Sequence, residues 1–356
     1  MALLPHLWRL IPEDVPSIPA LTCDASGFGA PPAAPGASAR IAWADLRRLF
    51  VLVRDRGPLS GSATWLAIGA GSGLAWVGTV PGLHSFIEEL QARPGFDAGA
   101  WIESAGHLRQ GVFVLFSHPS IPRSPSHASS SSGASLETLF ELHDRFESLM
   151  KRLAPAAPRA SAFSTLFTGW SEPHRHAHTV DHLMRCLDIL DAHVPNQAHK
   201  DTIEYALWYH RLIYNTLWGD NERRGAREAE RALQSAGLPA LGRQVSTMIL
   251  ASSRPSSPPA GETAVLVDIG RSILGAPRDE FIAFERGLRM EYRWVPGWMY
   301  VKRRRRYFQE LLDKPTIFLT PEFQATFERK ARENLRRDDA TPATPSRDGG
   351  SRGTKT

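Results

Sequence analysis

The chain has 356 residues, 42% of them hydrophobic and 22% charged, with a formal net charge of +5. That length exceeds one ordinary domain and predicts two units, each able to bury a core, while the composition excludes a chain disordered throughout. No stretch approaches the roughly 20 apolar residues that a bilayer span requires, and the two cysteines, Cys23 and Cys186, exclude a disulfide framework, so a cytoplasmic protein without a membrane partner is expected.

The first 21 residues hold a short apolar stretch broken by Pro5, Pro12, Pro16 and Pro19, with no basic leader, which predicts no export signal. Residues 24–39, rich in Gly, Ala and Pro, read as a loop; 41–53 and 64–68 read as strands, with 76–80 a third. Leu83, Phe86, Ile87 and Leu90 fall at helical spacing over 83–91 before Pro94 and Gly95 interrupt, and the apolar run 112–116 closes the unit as a strand. Residues 1–116 are therefore expected to form a small α+β domain. The Ser- and Pro-rich stretch 117–135 reads as a flexible linker, and 338–356 as a disordered tail.

Between them, over 136–337, the apolar period becomes helical. Leu136, Leu139, Phe140, Leu142, Phe146 and Leu149 mark one helix; 179–192 carries Leu183, Leu187 and Leu190 on one side; 203–208 runs into a third. Further helices are expected at 222–236, 241–252, 278–292, 299–312 and 321–335, giving an all-α bundle. The predicted protein is multidomain, α+β followed by all-α.

The densest cluster of chemistry-bearing residues is Glu172-Pro173-His174-Arg175-His176-Ala177-His178-Thr179-Val180-Asp181-His182. Neutral imidazole is a common metal ligand, and His178 and His182, four apart on a helix, would project side by side; such a pair is a metal centre only if further ligands arrive from elsewhere. Next come Tyr209-His210-Arg211, Tyr214 and Gly219-Asp220-Asn221-Glu222, then the VDIGRSILG, EYRWVP and ARENL segments. In this order, from Phe163 to Arg336, the chain resembles the predicted metal-dependent HD-domain phosphohydrolases.

The resemblance implies an HD-like helical bundle in which a His, a His-Asp pair and a distant Asp hold a divalent metal whose bound water attacks a phosphoester. His178 and His210 match the two imidazole ligands. The paired Asp position is Arg211, which has no lone pair to offer a cation. The late Asp position falls on Gly270, and Asp268, two residues earlier, would lie roughly 200° away around a helix. A further His expected after residue 252 is replaced by ASSRPSSPP. The candidate metal ligands are thus His178, His210 and Asp268, and the family's divalent metal is expected to bind weakly or not at all.

Arg211 suggests a phosphate grip by two parallel hydrogen bonds, or else a pair with Asp181, Asp220 or Glu222. Asp220, Asn221 and Glu222 match a family pocket mouth, or cap a helix. The candidate ligand-binding residues are Arg175, His182, Arg211, Asp220, Glu222 and Arg304, the last matching a family arginine near the pocket. Trp294, Trp298 and Tyr300 read as packing aromatics, and Lys302 to Arg306 as a solvated helix face; with no nucleic-acid motif alongside, the sequence argues against nucleic acid. The first unit resembles a family of small bacterial proteins through Asp55-Arg56-Gly57-Pro58, Trp65-Leu66 and Pro94-Gly95-Phe96-Asp97, which implies no activity and suits packing or a protein partner. The expected function is that of a phosphohydrolase-like protein with a degenerate metal site and lost or reduced activity, binding a phosphorylated small molecule, a nucleotide or a protein. The alternative is an active phosphohydrolase that recruits Asp181, Asp268 or Glu222 around His178 and His210.

Overall fold

The computed structural model describes residues 18–31, 40–54, 57–107, 110–119, 136–253 and 258–337. The expected tail, most of the expected linker, the first 17 residues, Asp55, Arg56 and part of the ASSRPSSPP segment lie outside them.

The N-terminal region is β-rich. Three short strands, β1 (Thr22–Asp24), β2 (Gly27–Gly29) and β3 (Arg40–Ala42), pair antiparallel in that order. Strands this short carry no readable period: β2 lies where a loop was expected over 24–39, and β1 ends at the first residue of that stretch; the expected strand 41–53 is broken by a turn in which the Asp45 N–H donates to the Ala42 carbonyl at 2.9 Å. The main sheet runs β6 (Gly73–Val77), β5 (Thr64–Gly69), β4 (Leu46–Val53), β7 (Gly111–Ser117), all antiparallel. Helix α1 (Leu83–Gln91) lies where its spacing places it, whereas α2 (Ala98–Ala105) was not expected. It starts because the Asp97 carboxylate accepts from the Ala100 N–H at 2.8 Å, an N-cap hidden in a segment that reads as a helix breaker.

The sheet is a middle layer. Along β4, Leu49, Val51 and Val53 point into a core with Trp65, Trp76 and Phe86, while Phe50 and Leu52 point the other way into the core of the helical region with Phe146, Phe163 and Trp208. That alternation explains why β4 reads as an almost unbroken apolar run, as a strand buried on both faces must. The helices against its second face are α3 (Leu136–Leu153) and α4 (Ala160–Trp170); Phe140 stacks on Phe50 at 4.9 Å, and the Ser164 hydroxyl accepts from the Val112 N–H at 3.0 Å. Helix α4 was not anticipated. Its buried Phe163, Leu166, Phe167 and Trp170 are helically spaced, but the Ser, Thr and Gly between them have low helix propensity.

The C-terminal region is helical: α5 (Val180–His193), α6 (Gln197–Tyr209), α7 (Asn221–Ser235), α8 (Pro239–Ser253), α9 (Gly261–Arg271), a 3-10 turn (Ser272–Gly275), α10 (Arg278–Glu291), α11 (Gly297–Leu312) and α12 (Pro321–Arg336). Two glycines set close approaches that position the site. A Cβ on Gly225 of α7 would sit 2.7 Å from the Tyr209 carbonyl oxygen, and one on Gly287 of α10 would sit 2.3 Å from that of His176, so only hydrogen fits at either contact. Among the described residues, no helix is long and apolar enough to cross a membrane.

Candidate functional site

The site is built where three segments meet: the loop 171–179 leading into α5, the end of α6 with the loop 210–220 after it, and the last residue of α10. His178 precedes α5, whose N-cap is Thr179, so His178 and His182 do not share a helix. Their rings nevertheless meet edge to face at 5.4 Å, with Phe284 packed on both at 5.5 and 5.4 Å.

Glu291 organises this corner. One carboxylate oxygen accepts from the successive backbone N–H groups of His176, Ala177 and His178 at 2.8–2.9 Å; the other accepts from His178 Nδ1–H at 3.0 Å and the Tyr214 hydroxyl at 2.7 Å. Burial acts to raise its pKa, but the His178 side chain, the backbone donors and Tyr214 together hold it well below the usual carboxylate range. Burial in turn lowers the His178 pKa against the opposing pull of Glu291, so the pair is an ionised carboxylate and a neutral imidazole whose remaining lone pair is on Nε2. No role for Glu291 was read from the sequence, although it opens the EYRWVP segment; the signal was there, but two loops 77 to 115 residues earlier supply its partners.

His210 is prepared in the same way. Its Nδ1–H donates to the Leu207 carbonyl at 2.8 Å, leaving Nε2 as the acceptor, and burial with the adjacent Arg211 charge lowers its pKa to about 3. His182 is buried, with Nδ1 lacking a hydrogen-bond partner among the described residues and Nε2 3.6 Å from Cys186 Sγ; burial, then the neighbouring imidazoles and arginines, push its pKa well down. Three neutral imidazoles therefore lie in the field of several permanent cations, Arg175, Arg185 and, next to His210 in the chain, Arg211.

That cation, Arg211, takes the carboxylate-paired alternative: its Nη1 donates to Glu222 at 2.9 Å, and its side chain keeps 33% of its surface exposed. Glu222 and Asp220 line a cleft of about 460 Å³ with Gly219 and Arg223. Asp220 occupies the N-cap position of α7 without a side-chain cap bond and instead accepts from Arg224 at 3.0 Å. Asn221 bonds Asn215 in both directions, at 2.7 and 3.2 Å, closing the loop rather than capping the helix.

Three other candidates are committed elsewhere. Asp268, buried in α9, accepts from the Leu319 and Thr320 backbone N–H groups and the Thr320 hydroxyl at 2.8–3.0 Å; it anchors the residues that lead into α12 and does not join the imidazoles as a ligand. Arg175 spends its donors on Glu172 and on the carbonyls of His178, Arg211 and Leu212, clamping the two loops together rather than facing a ligand. Arg304 forms a two-pronged pair with fully buried Glu285 and so turns inward from α11. Asp181 lies exposed in the first turn of α5.

The donor set does not suit a hard divalent cation. Glu291, Asp268 and Glu222 are each already engaged, and among the described residues no group of three or more His, Cys, Asp or Glu is placed to hold a metal ion. A Cβ on Gly270 would meet nothing within 4 Å. The aromatic expectation is corrected for two of its three residues, since Tyr300 is core but Trp294 and Trp298 are 53% and 69% exposed. The chain matches no family model, no curated protein and no solved structure.

Proposed function

We propose that residues 136–337 form an HD-type phosphohydrolase-like unit in which the metal site has become an anion site, binding a phosphorylated small molecule or nucleotide with little or no hydrolysis. The observation that carries this reading is Arg211, a fixed positive charge beside three imidazoles that burial keeps neutral. That arrangement of charge around Arg211 favours an anion over a cation, and Glu222, its present partner, borders a neighbouring cleft. The two imidazole positions expected of the family are kept, while the position expected to hold the paired Asp presents a guanidinium instead.

The cleft beside Glu222 is large enough for a phosphate and its sugar, at about 460 Å³. A part-exposed pair such as Arg211–Glu222 is worth no more than about 1 kcal/mol, whereas a phosphate held by two parallel N–H bonds gains charge assistance from both. A phosphorylated ligand would therefore displace Glu222 and take its place on Arg211.

Thermal melting in inorganic phosphate and in nucleoside mono-, di- and triphosphates tests this. A ligand-dependent rise in Tm that Arg211→Ala abolishes is expected; no rise with any phosphate ligand ends the proposal. The double variant Arg211→Asp with Gly270→Asp should gain divalent-metal affinity measurable by calorimetry. A stoichiometric metal in untagged wild-type protein, with hydrolysis lost in His210→Ala, would make it a working enzyme instead.

A further inference from the structure

The two edges of the main sheet are finished differently. Along β7 the outward backbone is taken up: the Asp97 N–H donates to the Leu115 carbonyl at 2.9 Å, the Ser117 N–H to the Gly95 carbonyl at 3.0 Å and the Val112 N–H to the Ser164 hydroxyl at 3.0 Å. The opposite edge is β6. In its hairpin with β5 the Gly69 N–H donates to the Ser72 carbonyl and the Gly78 N–H to the Ala63 carbonyl, both at 2.7 Å, with no register shift between them. Those bonds set the phase of the ladder, so Leu74 and Trp76 turn their N–H and C=O groups toward β5, and Gly73, Ala75 and Val77 turn theirs outward. Among the described residues, nothing bonds these outward groups. Gly73 is exposed and Val77 is 40% exposed. Apart from its length of five residues, this edge lacks the usual protection: residues 57–87 contain no Asp, Glu, Lys or Arg in a chain that is 22% charged, and β6 holds neither a proline nor a bulge.

We propose that β6 pairs antiparallel with β6 of a second copy of the chain, across a two-fold axis at Ala75, joining the two main sheets into one. Backbone donors and acceptors alternating along an extended edge are matched by another extended strand. An axis at Ala75 sets that residue opposite its own counterpart and Gly73 of one copy opposite Val77 of the other. Each such pair exchanges two bonds, about six in all. The side chains suit this register, because the exposed valine of each copy lies beside a glycine and the two that meet on the axis are methyl groups. Charge also favours a self-contact: an uncharged strand meets its copy without repulsion, whereas it offers a foreign strand no charge by which to be selected. The inference is independent of the Arg211 reading.

The test is sedimentation equilibrium of the full chain over a dilution series. The mass should rise from one chain toward two with concentration. Ala75→Pro should hold it at one chain, since the ring removes an N–H that the single chain leaves unbonded and blocks the seam. Two charged variants check the register at exposed positions. Gly73→Lys with Val77→Lys sets like charges opposite each other twice, and Gly73→Glu with Val77→Lys sets opposite charges there, so the second should associate at least about 4-fold more tightly than the first. Ala75→Cys should cross-link between chains under mild oxidation, because bonded antiparallel partners lie about 5.5 Å apart at Cα, within disulfide reach; Ile102→Cys, 70% exposed on α2, should not. A mass of one chain at every concentration overturns the proposal and leaves the edge to a foreign strand. So does a dimer that Ala75→Pro leaves intact, or equal association of the two charged variants. Melting curves within a few degrees of wild type will confirm that the charged variants are folded, which keeps the register test valid even if the proline variant unfolds.

Discussion

Glu291→Gln is the most demanding test of the corner that shapes the site. The substitution keeps size and one oxygen for the three backbone N–H groups, but it places an NH₂ where His178 Nδ1–H and the Tyr214 hydroxyl both donate. Two donors cannot face a third. The imidazole must move its proton to Nε2 and the tyrosine hydroxyl must turn, so the lone pair that Glu291 fixes on Nε2 migrates to Nδ1. Five charge-assisted bonds become neutral ones, each roughly half as strong; because such losses do not add fully, a cost of about 3 kcal/mol is expected at pH 7. Urea unfolding should show the midpoint fall with an unchanged m-value, and NMR of the ring nitrogens should show the changed tautomer. The pH dependence supplies an independent signature. A carboxylate held below its ordinary value of 4.5 contributes stability that is present above that pH and lost as pH falls toward the lower folded value. The gap between the two proteins should therefore shrink as the solution is acidified below about pH 4.5. A Glu291→Gln protein within about 0.5 kcal/mol of wild type, or a gap that persists unchanged into acid, would refute the account of this corner.

The imidazoles predict a separate acid effect. His210 is depressed from 6.5 to about 3, so its neutral form contributes stability that is present above 6.5 and lost as pH falls, up to about 5 kcal/mol at the acid limit; His210→Asn should flatten that limb of the urea-midpoint profile. Asp268→Ala should cost about 3–5 kcal/mol in chemical unfolding by leaving the donors at the start of α12 unpaired, without changing metal content, whereas a metal-linked role would change both. Gly287→Ala forces a methyl to 2.3 Å from the His176 carbonyl, so it should destabilise the protein by more than about 2 kcal/mol and diminish the phosphate-dependent rise in Tm, while the roomier Gly270→Ala should do neither.

How far the site was legible depended on whether its partners were near in sequence. His178, His210 and the Arg211–Glu222 pair were all among the candidates, because those residue types stand out and the two ends of the pair lie only eleven positions apart. Glu291 was passed over because its contacts lie 77 to 115 residues away. Asp268 was misplaced for the same reason: an acidic residue in a motif looks like a ligand until the chain is folded and Leu319 and Thr320 arrive to claim it. Trp294 and Trp298 erred in the opposite direction, since residue type argues for burial but only packing decides it.

The amino-acid sequence by itself determined the change from β-rich to helical structure, the long helices and the central strands, because apolar period and caps are local properties read within a turn or two. It also determined that the position beside His210 carries a guanidinium, and with it the sign of the charge there. Tertiary structure alone decided that the sheet would be buried on both faces, that Glu291 rather than Asp268 would serve His178, and that Arg175 and Arg304 would be spent on internal bonds. Those outcomes turn on which distant groups compete for a carboxylate or a guanidinium once water is excluded, and that competition does not exist until the chain has folded.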